Sequence, residues 1–83
     1  MSLQLGVKLF AAVREAVGRD RVEVSLPAGS SARDLLDHLV AAYPAIAPWR
    51  EGLGVAINLE LARADAPLSA GDEVALIPPV GGG

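Results

Sequence analysis

Apolar and polar residues alternate from the start of the chain. Leu3, Leu5, Val7 and Leu9 share one parity, and Gln4, Gly6, Lys8 and Phe10 the other. A period of two predicts a strand with one buried face. On that parity Phe10 belongs to the outer face or the strand end, which makes the single phenylalanine a candidate contact residue rather than core. Residues 11–17 are good helix formers, with Val13 and Val17 four apart on one side, and Gly18 is placed to end that short helix. Residues 21–26 alternate again: Val22, Val24 and Leu26 inward, Arg21, Glu23 and Ser25 outward. The two strands predict a wide hairpin around the short helix, closed by Pro27-Ala28-Gly29.

Ser30 or Ser31 opens the main helix, and Ser31 with Asp34 resembles a capping box with Asp in place of Glu. Leu35, Leu36, Leu39, Val40 and Tyr43 follow a helical stripe, with Arg33, Asp34, Asp37 and His38 off it. Pro44 ends the helix. Residues 45–54 read as a loop in which Trp49 covers one end of the core. Residues 55–61 alternate once more, with Val55, Ile57, Leu59 and Leu61 on one parity. A turn at Asn58-Leu59-Glu60 into a short partner over 61–63 would break that alternation and release Leu61 from the core. Residues 64–71 form a loop carrying Pro67-Leu68, and Gly71-Asp72 is a turn signal. Residues 73–77 are nearly all apolar, which suits a central strand covered on both faces. Pro78 stops pairing. The order predicts an α+β two-layer domain: a mixed four- to five-stranded sheet with one main helix and one short helix over residues 1–79, and a flexible tail over 80–83.

Composition narrows the chemistry. At 83 residues the chain holds one domain, and 15 of its apolar residues are alanine, so Leu, Val and Ile must build the core. The net charge is −3, and Arg14, Arg19 and Arg21 are interleaved with Glu15, Asp20 and Glu23. No basic face for nucleic acid is expected. No apolar run approaches the roughly 20 residues of a membrane span, and no signal-peptide pattern opens the chain. Together with the lack of cysteine this fits a cytoplasmic protein. Without cysteine there is no disulfide, thiolate or Cys-based zinc site. His38 is the single histidine and reads as a surface residue, so no metal site is expected. Gly52-Leu53-Gly54 is too short for a dinucleotide fingerprint. No nucleophile–base set is available, so catalysis by this chain alone is not expected.

The last residues, Ile77-Pro78-Pro79-Val80-Gly81-Gly82-Gly83, have a different character. Glycines have nothing to bury and lose the most entropy on ordering, so this end contributes nothing to folding. It is either an inert end or a thin backbone that carries a terminal carboxylate into a narrow slot. Four residues beyond Pro79 reach at most about 13 Å, which suits entry into a partner's active site.

Several segments together resemble the small, sulfur-carrying subunit of molybdopterin synthase, among the ubiquitin-like β-grasp carriers. They are Leu9-Phe10-Ala11 with Val13-Arg14-Glu15 and Gly18; Val55-Ala56-Ile57-Asn58; Pro67-Leu68 with Gly71-Asp72-Glu73-Val74-Ala75; and Ile77-Pro78-Pro79-Val80 before the terminal Gly-Gly. Gly81 departs from the family's usual Thr, Ala or Ser, and Ile77 from a common aromatic. The resemblance implies that Gly83, next to Gly82, is adenylated by an E1-like activating enzyme using ATP. A sulfur donor then converts it to a thiocarboxylate, a C-terminal thioglycine. It further implies that Phe10, Leu61 and Ile77 dock on the large subunit, in a heterotetramer, while Pro78, Pro79, Val80 and Gly81 lead the tail to cyclic pyranopterin monophosphate. The chain itself binds no cofactor and donates sulfur only with the large subunit. A free α-carboxylate has a pKa of about 3.5, so at neutral pH it is a poor acyl donor and needs such activation. Alternatives are a sulfur carrier for thiamine, amino-acid or tRNA thiolation, a ubiquitin-like protein modifier, and a plain interaction domain with an inert tail.

Overall fold

A computed structural model of the chain describes residues 2–78. The expected domain boundary after residue 79, and the candidate residues Pro79, Val80, Gly81, Gly82 and Gly83, lie outside the described residues. The elements are β1 (Ser2–Lys8), α1 (Ala11–Val17), β2 (Arg21–Pro27), α2 (Ala32–Ala42), a 3₁₀ helix (Pro44–Trp49), β3 (Gly54–Ile57), β4 (Glu60–Leu61) and β5 (Val74–Ile77). They form a five-stranded sheet in the order β2-β1-β5-β3-β4. The β1–β5 pair is parallel and the other pairs are antiparallel. This is the mixed sheet with a main and a short helix expected of a β-grasp domain.

The first hairpin follows its alternation. Leu3, Leu5, Val7, Val22, Val24 and Leu26 are all buried, while Gln4, Lys8, Arg21, Glu23 and Ser25 are exposed. Strand pairing stops at Lys8, two residues short of the alternating run. Leu9 stays buried and its N–H donates to the Asp20 carbonyl at 2.9 Å. Phe10 then serves as the N-cap residue of α1. Gly18 ends α1 at φ 86, and its N–H donates to the Arg14 carbonyl.

The first turn of α2 is fully tied down. Ser31 and Asp34 form the reciprocal capping box. The Ala32 and Arg33 amides donate to the carbonyls of Ala66 and Ala64, each at 2.9 Å. The free donors that usually mark a helix N-terminus are therefore used up, by Ser31 Oγ and by the 62–68 segment. Leu68 is buried beside it, and its N–H donates to the Ser30 carbonyl at 3.0 Å. Leu35, Leu36 and Leu39 bury the inner face of α2, with Val40 and Tyr43 at its margin.

Three expectations need correction. The stretch 45–54 is not simply a loop: Pro44–Trp49 is a 3₁₀ helix whose Ile46 is 1% exposed. Two prolines fix φ and lack N–H groups, which favours a short, tight helix over an extended connection. The second hairpin turns on two residues, Asn58 and Leu59, because Ile57 pairs with Glu60; β4 thus begins one residue earlier than expected. Finally, β5 is central but is covered on one face only. Val74 and Leu76 are 0% exposed, whereas Ala75 and Ile77 are half-buried. Among the described residues, helices pack on one side of this sheet and the other side is open.

Candidate functional site

The open face of the sheet is divided. Its β2–β1 half is polar: Gln4 donates to Ser25 Oγ at 2.8 Å, and Arg21 pairs with Glu23 at 3.0 Å. The Arg21 guanidinium lies over Gly6, in the space a Cβ would need. The β5–β3–β4 half is apolar. Strand register places Lys8, Ala75, Ala56 and Leu61 in one row across four strands, and Gly54 beside Ile77 in the next. Small residues in the middle of these rows leave a shallow floor. Phe10, Leu59 and Ile77 rise around it, and with Lys8, Ala56, Glu73, Val74 and Ala75 they line a cavity of about 260 Å³.

Among the described residues, Phe10, Leu59 and Leu61 are the large hydrophobic residues left exposed, at 44%, 86% and 73%. All three stand at this half of the open face. Scattered exposed apolar residues are ordinary, whereas a contiguous set marks an interaction surface. The cavity's two charged residues compensate one another, since Lys8 Nζ lies 3.6 Å from Glu73 Oε2. Beyond Phe10 lies a charged flank of Lys8, Arg14, Asp20 and Arg21, with Lys8 and Arg21 each paired to a glutamate.

Of the residues picked out from sequence, the structure brings together Phe10, Leu61 and Ile77. Leu61 faces out because the two-residue turn breaks the alternation. Its Cδ1 lies 3.0 Å from where a Gly54 Cβ would sit, so it leans over that glycine. Ile77 is the last residue of β5, and half-buried Pro78 follows it. Trp49 packs against the core, as expected. His38 is exposed. Among the described residues no group of three or more His, Asp or Glu could hold a metal ion, and no helix is long and apolar enough to cross a membrane. Sequence reasoning placed Leu59 on the inward parity or in the turn at Asn58-Leu59-Glu60, and did not single it out as part of the apolar face. The signal was Asn58, a residue that tolerates left-handed backbone and so permits a hairpin turn there.

A mixed β-grasp sheet whose open face is apolar over β5, β3 and β4, beside the end of its central strand, defines a ubiquitin-like carrier or modifier class of protein. The ThiS family model matches residues 7–83, and the chain belongs to that family. The molybdopterin synthase sulfur carrier subunit of Arabidopsis thaliana is 35% identical over 99% of this chain and 85% of its own length. The Escherichia coli protein of the same name is 42% identical, over 93% and 96%. Among solved structures, small archaeal modifier protein 1 of Haloferax volcanii superposes with a TM-score of 0.83 at 35% identity, covering 96% of this chain and 99% of that one.

Proposed function

We propose that this chain is the sulfur carrier subunit of a molybdopterin synthase. The observation that carries the reading is the apolar face of Phe10, Leu61 and Ile77, whose Ile77 directly precedes the Pro-Pro-Val-Gly-Gly-Gly sequence. The relatives bearing that subunit's name support it. In this role the face docks on the large synthase subunit within a heterotetramer, and the glycines reach into that subunit's active site. Gly82 and Gly83 lack Cβ and so thread a narrow channel, while Pro78 and Pro79 limit the entropy lost on insertion.

The chemistry falls on Gly83. Its carboxylate oxygen attacks the α-phosphorus of ATP on an E1-like activating enzyme, and pyrophosphate leaves. The mixed anhydride makes AMP the leaving group: the sulfur of a donor, supplied at the sulfide level or as a persulfide whose S–S bond a thiol then reduces, attacks the acyl carbon, the bond to AMP breaks, and the thiocarboxylate results. In the large subunit that sulfur bonds to a side-chain carbon of cyclic pyranopterin monophosphate in place of an oxygen, water cleaves the acyl C–S bond and regenerates the Gly83 carboxylate, and two such transfers complete the dithiolene. The chain contributes the acyl group and its delivery; the catalytic groups belong to its partners, with the cytoplasm as the setting.

Intact-mass measurement after incubation with the activating enzyme, ATP and a sulfur donor tests this. The expected result is one oxygen-to-sulfur exchange located at Gly83. Deleting Gly83 should abolish it and leave the melting temperature unchanged, because glycine has no side chain to bury. An unchanged mass with an activating enzyme that is competent on another carrier overturns the reading. The likeness to small archaeal modifier protein 1 favours a second reading, in which Gly83 becomes isopeptide-linked to lysines. Covalent ladders that vanish on deletion of Gly83 would establish it.

A further inference from the structure

We infer that Leu59, at the tip of the second hairpin, is a preorganised anchor for the large synthase subunit, extending the docking face beyond Phe10, Leu61 and Ile77. This rests on the carrier reading above.

Three observations converge on it. First, Leu59 is 86% exposed, more than either other exposed large hydrophobic residue, so it contributes little to the core. Second, its backbone is in the left-handed region, with φ 71, directly after Asn58 at φ 52. A two-residue turn of this kind wants glycine at its second position, where a Cβ is a liability. Asn58 tolerates the left-handed region; a leucine does so at a cost. Stability therefore gives no reason for a leucine here, either through burial or through backbone geometry. Third, the turn is held from below. The Asn58 N–H donates to the Glu73 carbonyl at 2.7 Å, and Asn58 Nδ2 donates to Asp72 Oδ1 at 3.1 Å. Asn58 Oδ1 in turn accepts from the Glu73 N–H at 3.0 Å. Asp72 is itself fixed, since its Oδ2 accepts from the Ser69 N–H at 2.7 Å. This clamp fixes the residue before Leu59 against the loop that leads into β5.

The result is an apolar side chain presented on a rigid mount. Leu59 lines the same cavity as Phe10 and Ile77, so a partner seated over those two meets it as well. The partner chemistry follows from the lining: the charges of Lys8 and Glu73 are mutually compensated, and the remaining walls are apolar. The matching surface on the large subunit is a bulky apolar side chain that fills the cavity, with an apolar shelf receiving Leu59. A fixed mount lowers the entropy cost of ordering the contact, which is the property expected of an anchor.

The test uses the full-length chain and the large subunit of the same organism, with Leu59→Gly, Leu59→Ala and, as a reference, Leu61→Ala. Melting temperature and calorimetric affinity are measured for each. Leu59→Gly is expected to melt at or above the native temperature, because glycine suits the turn. Both Leu59 variants are expected to bind the large subunit about ten-fold more weakly. Native-like affinity in both, with Leu61→Ala weakened, overturns the role of Leu59 and leaves the docking face standing. If the native chain itself does not bind, this inference and the carrier reading fail together. Self-association of the native chain in sedimentation, lost in Leu59→Gly, would assign the residue to a contact between copies and also overturn the inference.

Discussion

Leu61→Ala is expected to weaken docking on the large subunit while leaving the domain folded. Burying a leucine side chain fully is worth about 1.5–3 kcal/mol relative to leaving it in water. Leu61 is 73% exposed in the free chain. Roughly three quarters of that gain, about 1–2 kcal/mol, is therefore unrealised until a partner covers it. Losing it raises Kd by about 5- to 30-fold. The remaining quarter is already spent on contacts with the hairpin, and for a domain of this size its loss lowers the melting temperature by no more than about 6 °C. Titration calorimetry against the large subunit reads the first quantity and a thermal melt followed by circular dichroism the second. An unchanged Kd would refute the assignment of Leu61 to the docking face. A fall in melting temperature beyond about 10 °C would instead show that it supports the core.

Two further substitutions separate folding from docking. Ser31→Ala removes one half of the capping box, in which the Asp34 N–H donates to Ser31 Oγ at 3.3 Å. It should cost about 1 kcal/mol, lower the melting temperature by about 4–8 °C, and leave affinity for the large subunit unchanged, since α2 lies on the opposite side of the sheet. Gly54→Ala does the reverse: its new Cβ meets Leu61 Cδ1 at 3.0 Å, and that exposed tip must move. The fold should tolerate this while the titration shows weaker docking, and native affinity would show that the seat of Leu61 over Gly54 is unimportant.

Strong periodicity made most of the fold legible. The first hairpin, α1 with its Gly18 stop, and the Ser31–Asp34 capping box could be read because local chemistry and tertiary packing agree there. Legibility failed where tertiary context overrode the pattern. The 3₁₀ helix at Pro44–Trp49 has no period long enough to recognise, and Ile46 is buried within it without a stripe to announce it. Leu59 fell on the inward parity of 55–61 and also within the turn read at Asn58-Leu59-Glu60, and only the pairing of Ile57 with Glu60 fixes it at the tip of a two-residue turn. The apolar run of β5 suggested cover on both faces, because sequence reports hydrophobicity and not which layer exists to meet it. In this chain the uncovered hydrophobicity is the candidate site, so the failure at β5 and the functional signal have the same physical origin. Phe10 and Leu61 were accessible from sequence through parity and through the doubtful turn. The small floor of Gly54, Ala56 and Ala75 was not, because a groove depends on cross-strand register.

Strand β5 joins the two jobs of the molecule within four residues. Val74 and Leu76 are fully buried in the core, while Ala75 and Ile77 sit half-buried on the open face. The strand lies between β1 and β3, paired parallel with one and antiparallel with the other. Val74 and Ala75 are paired on both sides and Leu76 and Ile77 with β3, so the strand gives the residues after it a fixed starting point. In the proposed role, Pro78 leaves that fixed point beside the docking face, so the geometry of docking also sets where the tail begins. The entropy of insertion is then confined to the few residues past Pro78, which are rich in the one amino acid that fits a narrow channel. Substitutions at Ala75 or Ile77 should therefore act on association, whereas those at Val74 or Leu76 act on the fold and, through it, on the aim of the tail.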